Sequence, residues 1–183
     1  SSGAISAALS QGNNVTIQTT TAGAGGSGNI TLGTSAGGSA SITKTGGGNA
    51  TLTLSAYGTL TLNSGSSITS TSGLLNVNLL GKNTGLSTSG GQGINLAGNN
   101  AITTLGGDIT LGGGGTVTGY GSGYTYGYTA NAITISGGSL NAGGGNISLR
   151  GSSVSNSSGI VLTGTRLVTA GNGTIEVLGN GYA

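Results

Sequence analysis

The sequence predicts an all-β fold, a parallel β-helix of the β-solenoid type, on three observations. The first is a short alternation of aliphatic, small polar and aliphatic residues that recurs along the chain, as in Ile30-Thr31-Leu32, Leu60-Thr61-Leu62, Ile94-Asn95-Leu96 and Ile133-Thr134-Ile135. Period-two runs of this kind belong to strands with one buried face, the aliphatics pointing in and Thr, Asn or Ser pointing out. The second is that Gly or Asn turns bound each run. Glycine interrupts every window read as long enough for three helical turns, so helices are nearly excluded. The third is spacing. Apolar anchors fall at Ile94, Ile102, Ile109 and Val117, then at Ile133, Leu140, Ile147, Val154, Val161, Leu167 and Ile175.

These steps, mostly of about seven or eight residues, leave no length for hairpin arms. Three of them make a unit of about 22 residues, inside the range of solenoid repeats. Each unit is then one coil of three short strands, paired in parallel with the next coil about 4.8 Å away. Roughly eight coils make a rod about 40 Å long at that rise. Residues 1–183 read as a single segment without a domain boundary, in which Gly-rich stretches such as Ala22 to Gly28 bulge out as longer turns. A Tyr/Gly-rich insertion is expected at 119–130, where the anchor spacing stretches.

Composition narrows the function. Of 183 residues 43 are Gly, while Pro, Cys, Met, Trp, Phe and His are absent. The abundance of Val, Ile and Thr and the charge content of 3% argue against disorder. Without Cys or His there is no disulfide framework, thiol nucleophile, imidazole base or conventional zinc site. The charged residues are Lys44, Lys82, Arg150, Arg166, Asp108 and Glu176, giving a net charge of +2. Four scattered cations do not build the dense patch that displaces counterions from phosphates, so nucleic acid is not an expected partner. Apolar runs fall far short of the roughly 20 residues that cross a membrane as a helix. The opening residues lack a charged region and a long apolar region, so they do not read as a signal peptide, and the chain reads as trimmed or as an internal piece.

The candidate sites are few. Gly23-Ala24-Gly25-Gly26-Ser27-Gly28 matches the dinucleotide glycine pattern, but a strand follows where a helix would be needed, so no cofactor is expected. Asp108 and Glu176 are the two carboxylates. They are 68 residues apart, about three coils or about 14 Å along the axis. That exceeds a working glycosidase pair, and no catalytic or metal-ligating residue is assigned. Tyr120, Tyr124, Tyr126 and Tyr128 crowd into nine residues. Tyr offers flat apolar area with a hydroxyl, suited to contact surfaces and to stacking on sugar rings, so these four are the possible contact surface and surface glycans a possible partner. Asn-x-Ser/Thr triplets begin at Asn14, Asn29, Asn49, Asn146, Asn156 and Asn172, as chance predicts in this composition. A flat ice-binding face needs Thr at one register in coil after coil, whereas the outward positions alternate Thr, Asn, Ser and Glu.

The strings Gly28-Asn29-Ile30-Thr31-Leu32, Gly58 to Gly65 (GTLTLNSG) and Ser72 to Leu79 (SGLLNVNL) resemble the repeats of filamentous-haemagglutinin-type exoproteins. These are large bacterial surface adhesins, commonly exported by two-partner secretion. The resemblance implies a right-handed β-helix and an extracellular or bacterial cell-surface location. The amino-terminal secretion domain of that family carries an Asn-Pro-Asn-type element, and this chain has no proline. The resemblance therefore places it in the shaft or distal repeats, and the matched motifs carry over no functional residue.

Neither end reads as a polar cap, which solenoids need. The expected partners are further solenoid repeats of a longer protein or identical subunits stacked end to end. The leading expectation is a non-catalytic adhesin shaft. A self-assembling extracellular filament or biofilm-matrix subunit is the alternative, ahead of a carbohydrate-binding or ice-binding β-solenoid.

Overall fold

The structure, a computed structural model, describes residues 1–20, 27–82, 91–113, 121–123, 130–153 and 156–181. A nine-residue helix, α1 (Ser2–Ser10), comes first. A cycle of three strands then repeats. β1 (Val15–Gln18), β2 (Ile30–Leu32) and β3 (Ser41–Lys44) form the first layer. β4 (Ala50–Ser55), β5 (Leu60–Leu62) and β6 (Ser67–Ser70) form the second, and β7 (Leu75–Leu80), β8 (Ile94–Leu96) and β9 (Ala101–Thr103) the third. The fourth holds β10 (Ile109–Gly112), β11 (Gly121–Gly123), β12 (Ile133–Ser136) and β13 (Ser139–Asn141). β14 (Ile147–Ser153), β15 (Ile160–Thr163) and β16 (Arg166–Val168) make the fifth, and β17 (Ile175–Asn180) begins a sixth.

Each strand pairs in parallel with its counterpart in the next layer rather than with its sequence neighbour. The result is three parallel sheets of stacked strands. Sheet A runs β1-β4-β7-β10-β14-β17, sheet B runs β2-β5-β8-β12-β15, and sheet C runs β3-β6-β9-β13-β16. The arrangement is compatible with a β-helix or β-solenoid. The alternation in the sequence explains it. Val15, Leu52, Val77, Ile109, Ile147 and Ile175 occupy one register in sheet A, and Ile42, Ile68, Ile102, Leu140 and Leu167 another in sheet C. Same-face residues two apart meet their counterparts about 4.8 Å away in the next layer. The columns fuse into one apolar core that runs from Leu9 to Leu149.

The stacking interval exceeds the expected unit of about 22 residues. Leu52 pairs with Val77, a slightly longer step, and Ile94 pairs with Ile133, a much longer one. Sheet A accordingly has six layers rather than eight. At about 4.8 Å per layer its first and last strands lie about 24 Å apart, not about 40 Å. The excess length sits in one corner. Connections from sheet C to sheet A hold four to six residues each, whereas those from A to B range from four to 20. Counting seven-residue steps measured the short corners and missed the long one. Within the Tyr/Gly-rich segment, Gly121–Gly123 belongs to the ladder: it pairs with Gly151–Ser153, the end of β14, whose beginning pairs with β10.

The helix is a second departure. Residues 4–11 (AISAALSQ) contain no glycine, and Ala, Leu and Gln are good helix formers. Ser1 caps the start, its Oγ accepting the Ala4 N–H at 3.5 Å. α1 packs on β3 and covers that edge of sheet C. Leu9 is fully buried in the core and Ile5 packs against it. On the neighbouring helical face, Ser6 Oγ accepts the Thr43 N–H (2.9 Å) and Ser10 Oγ accepts the Thr45 N–H (3.0 Å). Two edge amides that a strand would have paired are satisfied by hydroxyls spaced i, i+4.

Gly138 shows how tight the corners are. Its φ is +81°, and a Cβ there would lie 2.1 Å from the Asn100 carbonyl oxygen. Gly138→Ala is expected to lower stability by more than about 1 kcal/mol, read by chemical denaturation. Leu9→Ala is expected to cost about 2–5 kcal/mol and to speed amide exchange at Thr43 and Thr45 before the inner layers.

Candidate functional site

Sheet A concentrates the charged chemistry of the described residues. Just before the first of its inward columns runs an outward column of Asn14, Thr51, Asn76, Asp108, Asn146 and Thr174. Each amide or carboxylate named below accepts a backbone N–H from the layer above. Asn14 Oδ1 takes Thr51 N–H (2.8 Å), Asn76 Oδ1 takes Asp108 N–H (3.0 Å), Asp108 Oδ1 takes Asn146 N–H (2.7 Å) and Asn146 Oδ1 takes Thr174 N–H (3.0 Å). Sheet B repeats the device at its own corner, where Asn29 holds Thr59 and Asn131 holds Ser158. Asp108 is thus one rung of a ladder whose other rungs are neutral.

Two residues along the strand lies a second column, Thr110, Ser148 and Glu176. Glu176 is held by Arg150 from the strand beneath, Nη2 to Oε2 at 2.7 Å and Nε at 3.1 Å, with Ser148 Oγ donating at 3.2 Å. The Arg150 hydrogen bonds hold the Glu176 carboxyl below its ordinary pKa, against an opposing effect of desolvation. Asp108, Asn146, Ser148, Arg150, Thr174 and Glu176 line an open depression of about 490 Å³ on this face.

The two carboxylates are nearer than the sequence suggested. They stand two layers apart, about 10 Å along the stack, rather than three layers and about 14 Å. Glu176 is further displaced two residues along its strand, about 7 Å. The pair is still too wide for hydrolysis between two carboxyls. The hydrogen bonds to Glu176, from Arg150 and Ser148, all fall on Oε2. Among the described residues no group of three or more His, Cys, Asp or Glu stands close enough to hold a metal ion.

The lysines turn inward. Lys44 is fully buried, its Nζ donating to the carbonyls of Gly46 (2.7 Å), Gly47 (3.4 Å) and Ser72 (2.5 Å). It ties the turn after β3 to the turn after β6. Lys82 is 1% exposed, and burial lowers its pKa. Two of the four cations are therefore absent from the surface, which sequence counting did not reveal.

Tyr120, Tyr124, Tyr126 and Tyr128 lie outside the described residues, as does the 23–26 part of the glycine-rich motif. The described strand between Tyr120 and Tyr124 is anchored in sheet A beside the end of β14. Sheet C carries a Thr column the sequence reading missed. Thr43, Thr69 and Thr103 share one register in three successive layers, which Asn141 and Val168 then break. The varied connection lengths hid this register. Among the described residues no helix is long and apolar enough to cross a membrane. No family model, curated protein or solved structure matches the chain.

The depressed pKa of Glu176 gives a pH signature. Its contribution is present above the ordinary Glu value of about 4.3 and is lost as pH falls through the lower folded value. In thermal melts between pH 7 and pH 2, Glu176→Gln is expected to flatten the acid limb of the wild-type Tm profile. An unchanged acid limb would show that the Arg150 pair contributes nothing to stability.

Proposed function

We propose that the chain is a non-catalytic structural segment of a secreted bacterial surface protein, the shaft of an adhesin of the filamentous-haemagglutinin type. In this reading the three sheets wind as a right-handed β-helix, the hand that parallel crossover connections favour. The observation that carries it is the continuity of the stack. One apolar core passes through every complete layer, and the outward side chains of sheet A, carboxylates included, serve to bond one layer to the next. A rod of this kind transmits position. It holds whatever lies beyond it at a fixed distance and needs no reacting group of its own. Variation gathered at the A-to-B corner suits a surface that displays along one edge, as insertions do in other repeat architectures.

The experiment is to read the gene on both sides of these residues and to assay the purified chain against a panel of polysaccharides. Further aliphatic–polar–aliphatic units are expected in the same frame, with no release of reducing ends from any polysaccharide. A frame without further units would overturn the shaft. Depolymerisation lost in Asp108→Asn would overturn the non-catalytic reading.

A further inference from the structure

We propose that the depression on the outward face of sheet A binds a short, uncharged oligosaccharide, with Asp108, Thr110 and Asn146 as its hydrogen-bonding groups. The proposal goes beyond the structural-segment reading, and either can fail without the other. It starts from where the charges are. The chain has two carboxylates, Asp108 and Glu176, and both line this one depression of about 490 Å³, together with Arg150. Asp108 and Thr110 belong to the fourth layer and Asn146 to the fifth, each with a layer on either side. Outward side chains stand roughly perpendicular to a sheet, so a further layer above β17 would lengthen this face and leave the depression open.

The polar side chains are fixed by one atom and leave another over. Asp108 Oδ1 takes the Asn146 N–H (2.7 Å) and leaves Oδ2. Asn146 Oδ1 takes both the N–H (3.0 Å) and the hydroxyl (2.9 Å) of Thr174, which sets the orientation of the amide and leaves Nδ2 as a donor. Glu176 Oε2 takes Arg150 and Ser148 and leaves Oε1. Among the described residues Asp108 Oδ2, Asn146 Nδ2, the Thr110 hydroxyl and Glu176 Oε1 have no hydrogen-bond partner. The ladder does not need the charge of Asp108. Asn76 and Asn146 form the neighbouring rungs as neutral amides, so a carboxylate here exceeds what its rung requires.

The chemistry of these atoms selects the ligand. A sugar hydroxyl both donates and accepts. Adjacent hydroxyls of one ring match an acceptor and a donor held on adjacent rungs about 4.8 Å apart. A carboxylate that accepts from a hydroxyl makes a strong, charge-assisted bond. An acidic sugar would meet the Asp108 charge, while Arg150 is engaged by Glu176. A peptide finds no exposed apolar contact, since the two aliphatics of the lining, Ile109 and Ile147, are fully buried. No aromatic ring stands among the lining residues. Binding therefore rests on hydrogen bonds without stacking, and its Kd is expected in the millimolar range.

The test is titration of the purified 183-residue chain with neutral glucose-, galactose- and mannose-based oligosaccharides, followed by backbone amide chemical shifts. Uronate and amino-sugar oligomers of the same length are run beside them. Saturable shifts centred on Thr110, Asn146 and Ser148 are expected with at least one neutral series, with the sugar recovered uncleaved. Asp108→Asn keeps an oxygen for the Asn146 N–H, so its β-sheet circular dichroism should match wild type while affinity falls at least about tenfold. Thr110→Val keeps the β-branched shape without the hydroxyl and should weaken binding about threefold or more. Thr61→Val, on sheet B and away from the depression, should leave binding unchanged. Shifts absent with every neutral series, or equal in wild type and Asp108→Asn, would overturn the proposal. A preference for uronates would replace it with an acidic ligand at Arg150, and a preference for amino sugars with a cationic ligand at Asp108. None of these results bears on the shaft, whose test is the reading frame, whereas cleavage of the bound sugar would overturn the non-catalytic reading instead.

Discussion

Everything in this molecule depends on parallel register between layers. No described strand pairs with its sequence neighbour, so the backbone N–H and C=O groups of the strands find their partners one layer up or down. A slip of one residue in any strand would turn its aliphatics outward and its Thr or Asn inward. The register is therefore guarded twice. Inward, aliphatic columns such as Ile42, Ile68, Ile102 and Leu140 in sheet C leave room only for like residues. Outward, the Asn and Asp column fixes the strand entry of sheet A by hydrogen bonds that a one-residue shift would break.

The corners divide the labour. Those from C to A are nearly constant in length, because they end in the residue whose side chain must reach the amide above. Those from A to B vary in length, most of all between β10 and β12. The Gly121–Gly123 strand, returning to sheet A in the middle of that connection, shows that a long excursion can still rejoin the ladder without disturbing β14.

The strands and their parallel stacking were legible in the sequence because period-two alternation and glycine punctuation are local signals. The interval between layers was not. It depends on connection length, and nothing in the composition of Gly81 to Gly93 marks where one layer ends. The helix was missed for a different reason. Glycine abundance over the whole chain outweighed the stretch Ala4 to Gln11, which lacks both glycine and the period-two alternation. Ser6 and Ser10 then look like ordinary polar residues until β3 is placed beside them. The site was legible only as residue types. Asp108, one of the two carboxylates in the sequence, proves to be a rung whose carboxylate holds the next layer. The lysines entered the sequence reading only as two of four scattered cations, yet Lys44 spends its ammonium on three carbonyls inside the stack.

That use of charge bears on what the molecule is for. A buried ammonium surrounded by carbonyls, and a carboxylate set among asparagines, are polar groups deployed for geometry. An amide in place of Asp108 would accept the same N–H, as Asn76 and Asn146 do in the layers on either side. The Arg150–Glu176 pair likewise spans two adjacent layers. A site evolved for chemistry sets charges to act on a third party. Here Asp108 and Glu176 bond to an adjacent layer, and Lys44 bonds to its own turn and to the turn of the next layer, which is the pattern the proposed structural reading draws on.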